Sequence, residues 1–197
     1  MVDRVNARAR ACGIQVDAQV MDGQQLGFAD NVFDAAISVF GVILFPDAVA
    51  GMRELRRVVR PGGKVAVVTW TQPQNYQLAA ELRSAIASVF PDAPSSPLPA
   101  QLRFREPPDF QALFRQAGFD EVRIAEHTAA ITAPSAGWLA DHLGFAPGMS
   151  AMLKGLGSQA SAVLDQFVAR LETSKGAGPI SLSGVAFVGV ATVSQMV

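Results

Sequence analysis

The order of apolar and polar residues in the first part of the chain predicts a helix followed by two strands. Asp3–Cys12 carries Ala and Arg at helical spacing and precedes Gly13, which predicts a helix that ends at a glycine. Ile14–Met21 alternates apolar with polar positions, as a half-buried strand does. Phe33–Phe40 is almost continuously apolar, which predicts a parallel strand buried on both faces.

The next segment predicts a helix, a turn and a second buried strand. Pro46-Asp47 begins the helix with a carboxylate, and arginines follow towards its end, an order that suits the helix dipole. Pro61-Gly62-Gly63 ends this helix and supplies a tight turn with Pro and Gly at its central positions. Lys64–Trp70 is predicted to be the second buried strand, and Gln77–Phe90 an amphipathic helix.

The second half of the chain continues the alternation of helices and strands after a proline-rich stretch. The four prolines of Phe90–Pro99 exclude a continuous helix or a central strand there. Beyond it, the patterns predict a helix from Pro108 to Ala117 and strands at Val122–Ile131 and Val185–Val193. Between those strands they predict helices at Ser135–Leu143 and Ala151–Thr173, the second broken near Gly155-Leu-Gly157.

Alternating strands and helices predict an α/β fold with a mostly parallel sheet in a single domain, residues 1–197. Such sheets bind ligands at the carboxyl ends of their strands, so the loops after Met21, Phe40 and Trp70 are candidate sites. Asp22-Gly23 could hold an adenine through the carboxylate and the backbone, or it could be a simple turn. Gly41 allows close approach to a ligand, although glycine is also common at such corners.

Composition excludes several classes of protein. Half of the 197 residues are apolar, 17% are charged, and the formal net charge is −1, which excludes a disordered chain. A basic excess is absent, with 16 Lys and Arg against 17 Asp and Glu, so nucleic acid is not an expected partner. No apolar stretch is long enough to span a membrane, and no signal peptide is visible. We therefore expect a cytoplasmic protein whose one cysteine, Cys12, is reduced and buried.

Two motifs in the first 70 residues resemble a known family. The first runs from Asp22 through Leu26-x-Phe28-x-Asp30 to Phe33-Asp34, and the second is Glu54-x-x-Arg57-Val58-x-x-Pro61-Gly62-Gly63. Their order and spacing resemble the class I S-adenosylmethionine-dependent methyltransferases, in particular the small-molecule branch similar to ubiquinone and menaquinone biosynthesis methyltransferases. The resemblance covers residues 3–70 closely, 108–131 less closely and 180–191 weakly.

The resemblance implies a Rossmann-like methyltransferase fold and methyl transfer from S-adenosylmethionine to a small-molecule acceptor. It implies that Asp22 contacts the adenine amino group, that Gly23 offers its backbone to the ring, and that residues 39–41 line the methionine moiety. The implied cofactor-binding residues are therefore Met21, Asp22, Gly23, Val39, Phe40 and Gly41. No catalytic base maps onto this chain, and aligning the acceptor with a sulfonium leaving group does not require one.

The chain departs from the family in one respect. The family's first strand is followed by a glycine-rich Gly-x-Gly-x-Gly loop, which this sequence lacks. In the family's strand order 3-2-1-4-5-7-6, the two strands without a counterpart lie between Ile14–Met21 and Phe33–Phe40. We expect an N-terminally incomplete fold, a second copy covering the open sheet edge, or direct pairing of these two segments. An alternative function is a non-catalytic remnant or interaction subunit that cannot hold the cofactor.

Several other residues are weaker candidates for chemistry. His127 and His142 could act as bases near neutral pH, but neither has a carboxylate partner at fixed spacing. One cysteine and two distant histidines do not make a zinc site. Trp70 and Tyr76 could face a pocket or simply pack. A nicotinamide dehydrogenase is disfavoured because its glycine fingerprint and a Tyr-x-x-x-Lys pair are absent.

The helices at residues 135–175 are expected to form an insert before the last strand. This insert either covers the substrate pocket as a lid or packs as an ordinary layer. The helix that begins at Asp47 carries a row of arginines, and a solvated helix face explains this row better than a nucleic-acid patch does; the row is Arg53, Arg56, Arg57 and Arg60.

Overall fold

The computed structural model describes residues 2–92, 99–145 and 147–194. Its four strands form one sheet in the order β1-β2-β4-β3, with β1 at Phe33–Val39, β2 at Val59–Trp70, β3 at Arg123–Ala133 and β4 at Ile180–Thr192. The β1–β2 pair is parallel, and β4 runs antiparallel to both of its neighbours. This order equals the 4-5-7-6 part of the sheet that the resemblance implies, so the α/β prediction is confirmed.

Seven α-helices connect and cover these strands within the described residues. They are α1 Val2–Ala11, α2 Ala48–Val58, α3 Gln77–Val89, α4 Pro107–Gln116, α5 Ala136–His142, α6 Pro147–Gly155 and α7 Ala160–Lys175. The predicted break near residues 155–157 is confirmed, because α6 ends at Gly155, α7 begins at Ala160, and Gly157 between them adopts a φ of +55°. Most of the proline-rich stretch, residues 93–98, lies outside the described residues. No described helix is long and apolar enough to cross a bilayer.

The start of α2 and the start of β2 follow from single residues. The side chain of Asp47 caps α2 by accepting a hydrogen bond of 2.9 Å from the backbone N–H of Ala50. Gly62 has a φ of +81°, and its N–H donates to the carbonyl of Val193 at 2.8 Å. A Cβ on Gly63 would lie 2.6 Å from the carbonyl oxygen of Asp34. The predicted turn is thus an irregular first part of β2, where the β1–β2 register shifts.

One face of the sheet is covered by α2 and α4. Val65 and Val67 of β2 are fully buried beneath Met52 of α2 and Phe110 and Phe114 of α4. Helix α4 lies so close to β4 that a Cβ on Gly189 would be 2.8 Å from the Phe114 ring. This packing supplies the apolar burial that holds α2 and α4 on the sheet.

A second core lies under α3, α5 and α7. Leu78 and Leu82 of α3 pack with Phe167 and Leu171 of α7 against Leu182 in the first half of β4. Along the chain, the helices α5 to α7 lie between β3 and β4, where the sequence predicts an insert. They are packed onto the domain rather than attached through a linker.

Three predictions about the first 40 residues are wrong. Ile14–Met21 is not a strand, because none of its residues pairs with another described strand, and Val20 is 90% exposed. β1 is not buried on both faces: Ile37 is 71% exposed and Val39 is 63% exposed. Cys12 is exposed rather than buried. The apolar pattern of residues 33–40 does indicate a strand. Burial of both faces also requires a layer of the protein that covers the face carrying Ile37 and Val39.

The uncovered apolar surface extends across the sheet. Cross-strand pairing places Ile37 and Val39 on the same face as Ala66, Val68 and the second half of β4. A compact 20.8 kDa protein is expected to expose roughly 8,900 Å², whereas this chain exposes 11,897 Å². The exposed Ile37 and Val39 contribute to this excess.

A partly buried ion pair joins the two sequence motifs. Glu54 of α2 accepts from the backbone N–H of Leu26 at 2.7 Å and from the Arg57 guanidinium at 2.7 and 2.8 Å. Arg57 also donates to the carbonyls of Phe28 and Leu26, at 2.8 and 3.0 Å, and to the Asp30 carboxylate at 2.6 Å. These bonds fix the loop between residues 22 and 31 onto α2.

We expect Glu54→Gln to lower the free energy of unfolding by about 1–3 kcal/mol, because it removes the charge of the carboxylate that accepts two of the hydrogen bonds of Arg57. The Arg57 hydrogen bond lowers the pKa of Glu54, so the stabilisation is present above the unfolded-state pKa and is lost as pH falls through the folded-state value. Urea denaturation at neutral and acidic pH measures both effects. Glu172→Gln on the exposed side of α7 is the control; equal stability of the two variants would contradict this prediction.

We expect the chain to self-associate through the β1 edge and the uncovered face. Ile37→Lys combined with Val39→Thr should shift the population towards monomer, because a buried lysine opposes edge pairing. Sedimentation velocity over a concentration series measures the distribution, with Val5→Lys on α1 as the control. A wild-type chain that stays monomeric at every concentration would show that this surface does not associate.

Candidate functional site

The carboxyl ends of β1 and β2 lie side by side because these strands are parallel. The chain leaves β1 through Phe40 and Gly41 and enters a single 3-10 turn at Val42–Leu44. It leaves β2 after Trp70 and reaches α3 at Gln77. This edge of the sheet therefore carries two of the three loops that the sequence marks as candidate sites.

The third candidate loop, after Met21, folds as a turn at Asp22. Oδ1 of Asp22 accepts from the backbone N–H of Gln24 at 2.9 Å, and the Asp22 carbonyl accepts from the N–H of Gln25 at 3.1 Å. Oε1 of Gln24 accepts from the backbone N–H of Asp47 at 2.8 Å, which ties this turn to the start of α2. Asp22 is exposed, and Met21 ahead of it is half-buried.

Gly23 has a packing role in the structure. A Cβ at Gly23 would lie 2.3 Å from Cζ of Phe45, and a Cβ at Gly51 would lie 2.5 Å from Cδ2 of the same ring. The Phe45 ring thus fills the gap between the loop and α2. The position of this ring requires a glycine at residue 23. This packing requirement holds whether or not the backbone of Gly23 also binds a ligand.

The end of β1 has an unusual backbone. Phe40 adopts a φ of +55°, which non-glycine residues rarely do. Its N–H still donates to the carbonyl of Val68 at 3.2 Å, and Oγ of Ser38 accepts from the N–H of Val42 at 2.9 Å. A Cβ on Gly41 would lie 3.1 Å from Oγ of Ser38. Such strained positions are frequent at ligand sites.

Three aromatic rings form a stack across the strand ends. The Phe40 ring lies 4.0 Å from the Trp70 ring at an interplanar angle of 15°, and Trp70 lies 4.5 Å from Tyr76 at 21°. Tyr76 is held by a β-bridge to Gly184, where a Cβ would lie 3.2 Å from the tyrosine ring. Both faces of Trp70 are therefore covered by neighbouring rings.

The aromatic stack forms one wall of a cavity of about 500 Å³. Met149 and Met152 of α6 also line it, and Arg83 of α3 is its charged lining residue. Ala79 and Arg83 share one face of α3, since they are four residues apart, and Tyr76 caps the start of this helix. The lining is otherwise largely apolar, as expected of a small-molecule site.

The weaker candidates lie elsewhere. His127 is exposed on β3, and His142 stacks on Trp138 at 4.0 Å; neither lines the cavity. Within the described ranges, no group of three His, Cys, Asp or Glu could hold a metal ion. Three of the four arginines that the sequence marks as a row are engaged in local contacts. Arg57 is in the ion pair above, and Arg53 of α2 donates to the carbonyl of Gln116 at 3.3 Å. Arg60 lies in β2 rather than on the helix and pairs with Asp34 at 3.0 Å.

Most of the cavity lining is not predicted from the sequence, including Arg83, Met149 and Met152. The spacing of Ala79 and Arg83 indicates a common helix face, but nothing local shows that this face meets a cavity. Met149 and Met152 are also one helical turn apart, and only tertiary packing brings them to the same cavity as Trp70.

The strands are in the order β1-β2-β4-β3, and helices pack on the sheet. Together with the candidate loops at the carboxyl ends of β1 and β2, these features define a Rossmann-like methyltransferase fold. The YcgJ protein from Bacillus subtilis has this fold: its crystal structure aligns with all of this chain and 79% of its own, with a TM-score of 0.55 and 16% identity. Residues 1–139 match the model of the ubiE/COQ5 methyltransferase family. The chain belongs to this family.

Relatives of known sequence are matched over part of their length. An uncharacterized protein of Mycobacterium tuberculosis is 39% identical over 99 residues, which are 50% of this chain and 36% of that protein. The ubiquinone/menaquinone biosynthesis C-methyltransferase UbiE of Dinoroseobacter shibae is 32% identical over 148 residues, covering 68% of this chain and 58% of the relative. The chain thus spans between about a third and three fifths of their lengths.

Tyr76 is the one tyrosine of the chain, so its ionisation can be followed without interference. Burial raises the pKa of the Tyr76 phenol, and we expect it to ionise above the ordinary value near 10. The corresponding stability is present below the unfolded-state pKa and is lost as pH rises through the folded-state pKa. Ultraviolet absorbance of tyrosinate measures the titration, and the same titration in denaturant is the control. Identical curves would show that Tyr76 is not buried in the stack.

Proposed function

We propose that the chain binds S-adenosylmethionine across the Asp22 loop and the end of β1, and that the adjoining cavity binds a small-molecule methyl acceptor. One observation carries this proposal. Phe40 belongs both to the segment expected to line the methionine moiety and to the aromatic wall of the cavity. Donor and acceptor sites that share a residue bring the two reactants close together.

The residues present fit two parts of the cofactor. The second carboxylate oxygen of Asp22 has no partner among the described residues, and it suits an adenine amino group. The exposed Val39 and the bare backbone at Gly41 suit the methionine moiety. The sequence contains no Gly-x-Gly-x-Gly loop, so the described residues provide less of the methionine pocket than the family pattern does.

The chemistry that follows is mainly alignment. The bound cofactor would supply a methyl group activated by its sulfonium. The role of this chain would be to orient the acceptor and exclude water, and the apolar lining from Trp70 to Met149 suits both. A tyrosine is protonated at neutral pH, and burial raises the pKa of Tyr76 further, so its phenol would donate a hydrogen bond to the acceptor rather than act as a base.

We further propose that α6 acts as the lid of the acceptor site. Met149 and Met152 line the same cavity as Trp70, and flexible thioether side chains adapt to ligands of different shape. The family membership supports the catalytic proposal, and the comparisons give no support to the non-catalytic alternative.

Asp22→Asn separates binding from folding. Asparagine keeps an oxygen for the N–H of Gln24, so the turn is retained, but its amide cannot accept in place of the second carboxylate oxygen. We expect S-adenosylhomocysteine to bind the variant at least ~10-fold more weakly, as for the loss of a charge-assisted hydrogen bond. Isothermal titration calorimetry measures the affinity.

Asp17→Asn in the same exposed segment is the matched control and should bind like the wild type. Thermal unfolding of all three proteins checks that the turn remains intact. Equal affinity of Asp22→Asn and the wild type would remove Asp22 from the site. The absence of any binding to the wild-type chain would refute the proposed cofactor site for this chain.

A further inference from the structure

The acceptor cavity has a distinctive charge. Of its lining residues, Arg83 is cationic, and no Asp or Glu is present among those that the structure describes. The nearest carboxylates on the flanking elements are already engaged. Glu81 pairs with Arg170 at 3.2 Å, and Glu106 accepts a hydrogen bond from Gln72 and lies 3.7 Å from Arg105. The cavity is therefore apolar with one positive charge at its rim.

The Arg83 guanidinium is held in place by a neutral group. Its Nη2 donates to the carbonyl of Pro73 at 2.8 Å, and Pro73 itself lines the cavity. No carboxylate lies within ion-pair distance of Arg83 among residues 2–92, 99–145 and 147–194. A guanidinium has five N–H donors in a planar fork that matches a carboxylate. Most of these donors stay available to a ligand.

The aromatic wall selects the other end of the ligand. Because Phe40 and Tyr76 cover both faces of Trp70, the indole offers its edge to the cavity. Ring edges carry the positive part of the aromatic quadrupole, and they attract the face of a second ring in a T-shaped contact. The thioethers of Met149 and Met152 also contact aromatic rings favourably. These features favour a planar ring over an aliphatic chain.

We propose that this cavity binds a planar aromatic acid, with its ring against the Trp70 edge and its carboxylate on Arg83. A volume of about 500 Å³ accommodates one or two fused rings and lies in the range of small-molecule sites. The inference rests on the proposed function in so far as this ligand is the methyl acceptor. The binding itself requires no cofactor, so the two can be tested separately.

Naphthoate and naphthol are the probes, since they share a ring system and differ in charge at neutral pH. We expect naphthoate to bind the wild-type chain about tenfold more tightly than naphthol in isothermal titration calorimetry, as one partly exposed charge-assisted contact allows. Added salt should weaken naphthoate binding and leave naphthol binding unchanged, because screening acts on the ion pair alone.

Arg83→Met should remove the preference for naphthoate while naphthol binds as before, because methionine keeps an apolar stem and a high helix propensity. Arg115→Met on the exposed end of α4 is the matched control: it changes the net charge equally, lies away from the cavity and should keep the preference. Trp70→Leu should weaken both probes. Circular dichroism and thermal unfolding verify that each variant is folded.

Equal binding of the two probes to the wild type, a preference that survives Arg83→Met, or no binding of either probe would overturn the proposal. An Arg83-dependent preference in a chain that does not bind S-adenosylhomocysteine would support the cavity assignment and refute the cofactor site. Binding of S-adenosylhomocysteine without any naphthoate preference would support the cofactor site and refute the cavity assignment.

Discussion

The pairing of Glu54 with Arg57 is the interaction on which the rest of the site depends. Both residues lie on α2, and their other hydrogen bonds go to the backbone at Leu26 and Phe28 and to the Asp30 carboxylate. No described strand holds the loop that carries Asp22, so this pair takes over that task. A partly buried charge is costly unless its donors and acceptors are matched. The guanidinium of Arg57 is matched here, which explains why the two motifs contain Asp30, Glu54 and Arg57.

The cavity depends on a second chain of contacts, which is aromatic. Gly184 leaves room for Tyr76, Tyr76 covers Trp70, and Trp70 supports Phe40 at the end of β1. The first contact links β4 to the start of α3, and the last lies beside the expected cofactor segment. The acceptor wall is thus assembled from three parts of the chain that are distant in sequence. The three rings hold one another in place, and preorganisation of this kind lowers the entropic cost of binding.

Strand patterns predicted the sheet well, because β1 to β4 all carry apolar residues at strand spacing. Ile14–Met21 carries the same signal and is not a strand, since alternation describes a side-chain pattern and not the presence of a hydrogen-bonding neighbour. The burial of β1 failed for the related reason that no described layer covers Ile37. Arg83 was missed because its importance comes from what surrounds it: an apolar cavity whose nearby carboxylates have other partners. Only tertiary structure contains that information.

The left-handed backbone at Phe40 places two opposite demands on one position. Glycine would adopt that φ without strain, but it would remove the ring that covers Trp70. Any other aromatic residue would keep the stack and retain the strain. Neither kind of substitution improves both properties, so this site should vary little among functional descendants of the chain, even though it is only partly buried. Its sequence is constrained by a compromise between backbone and side chain rather than by core packing.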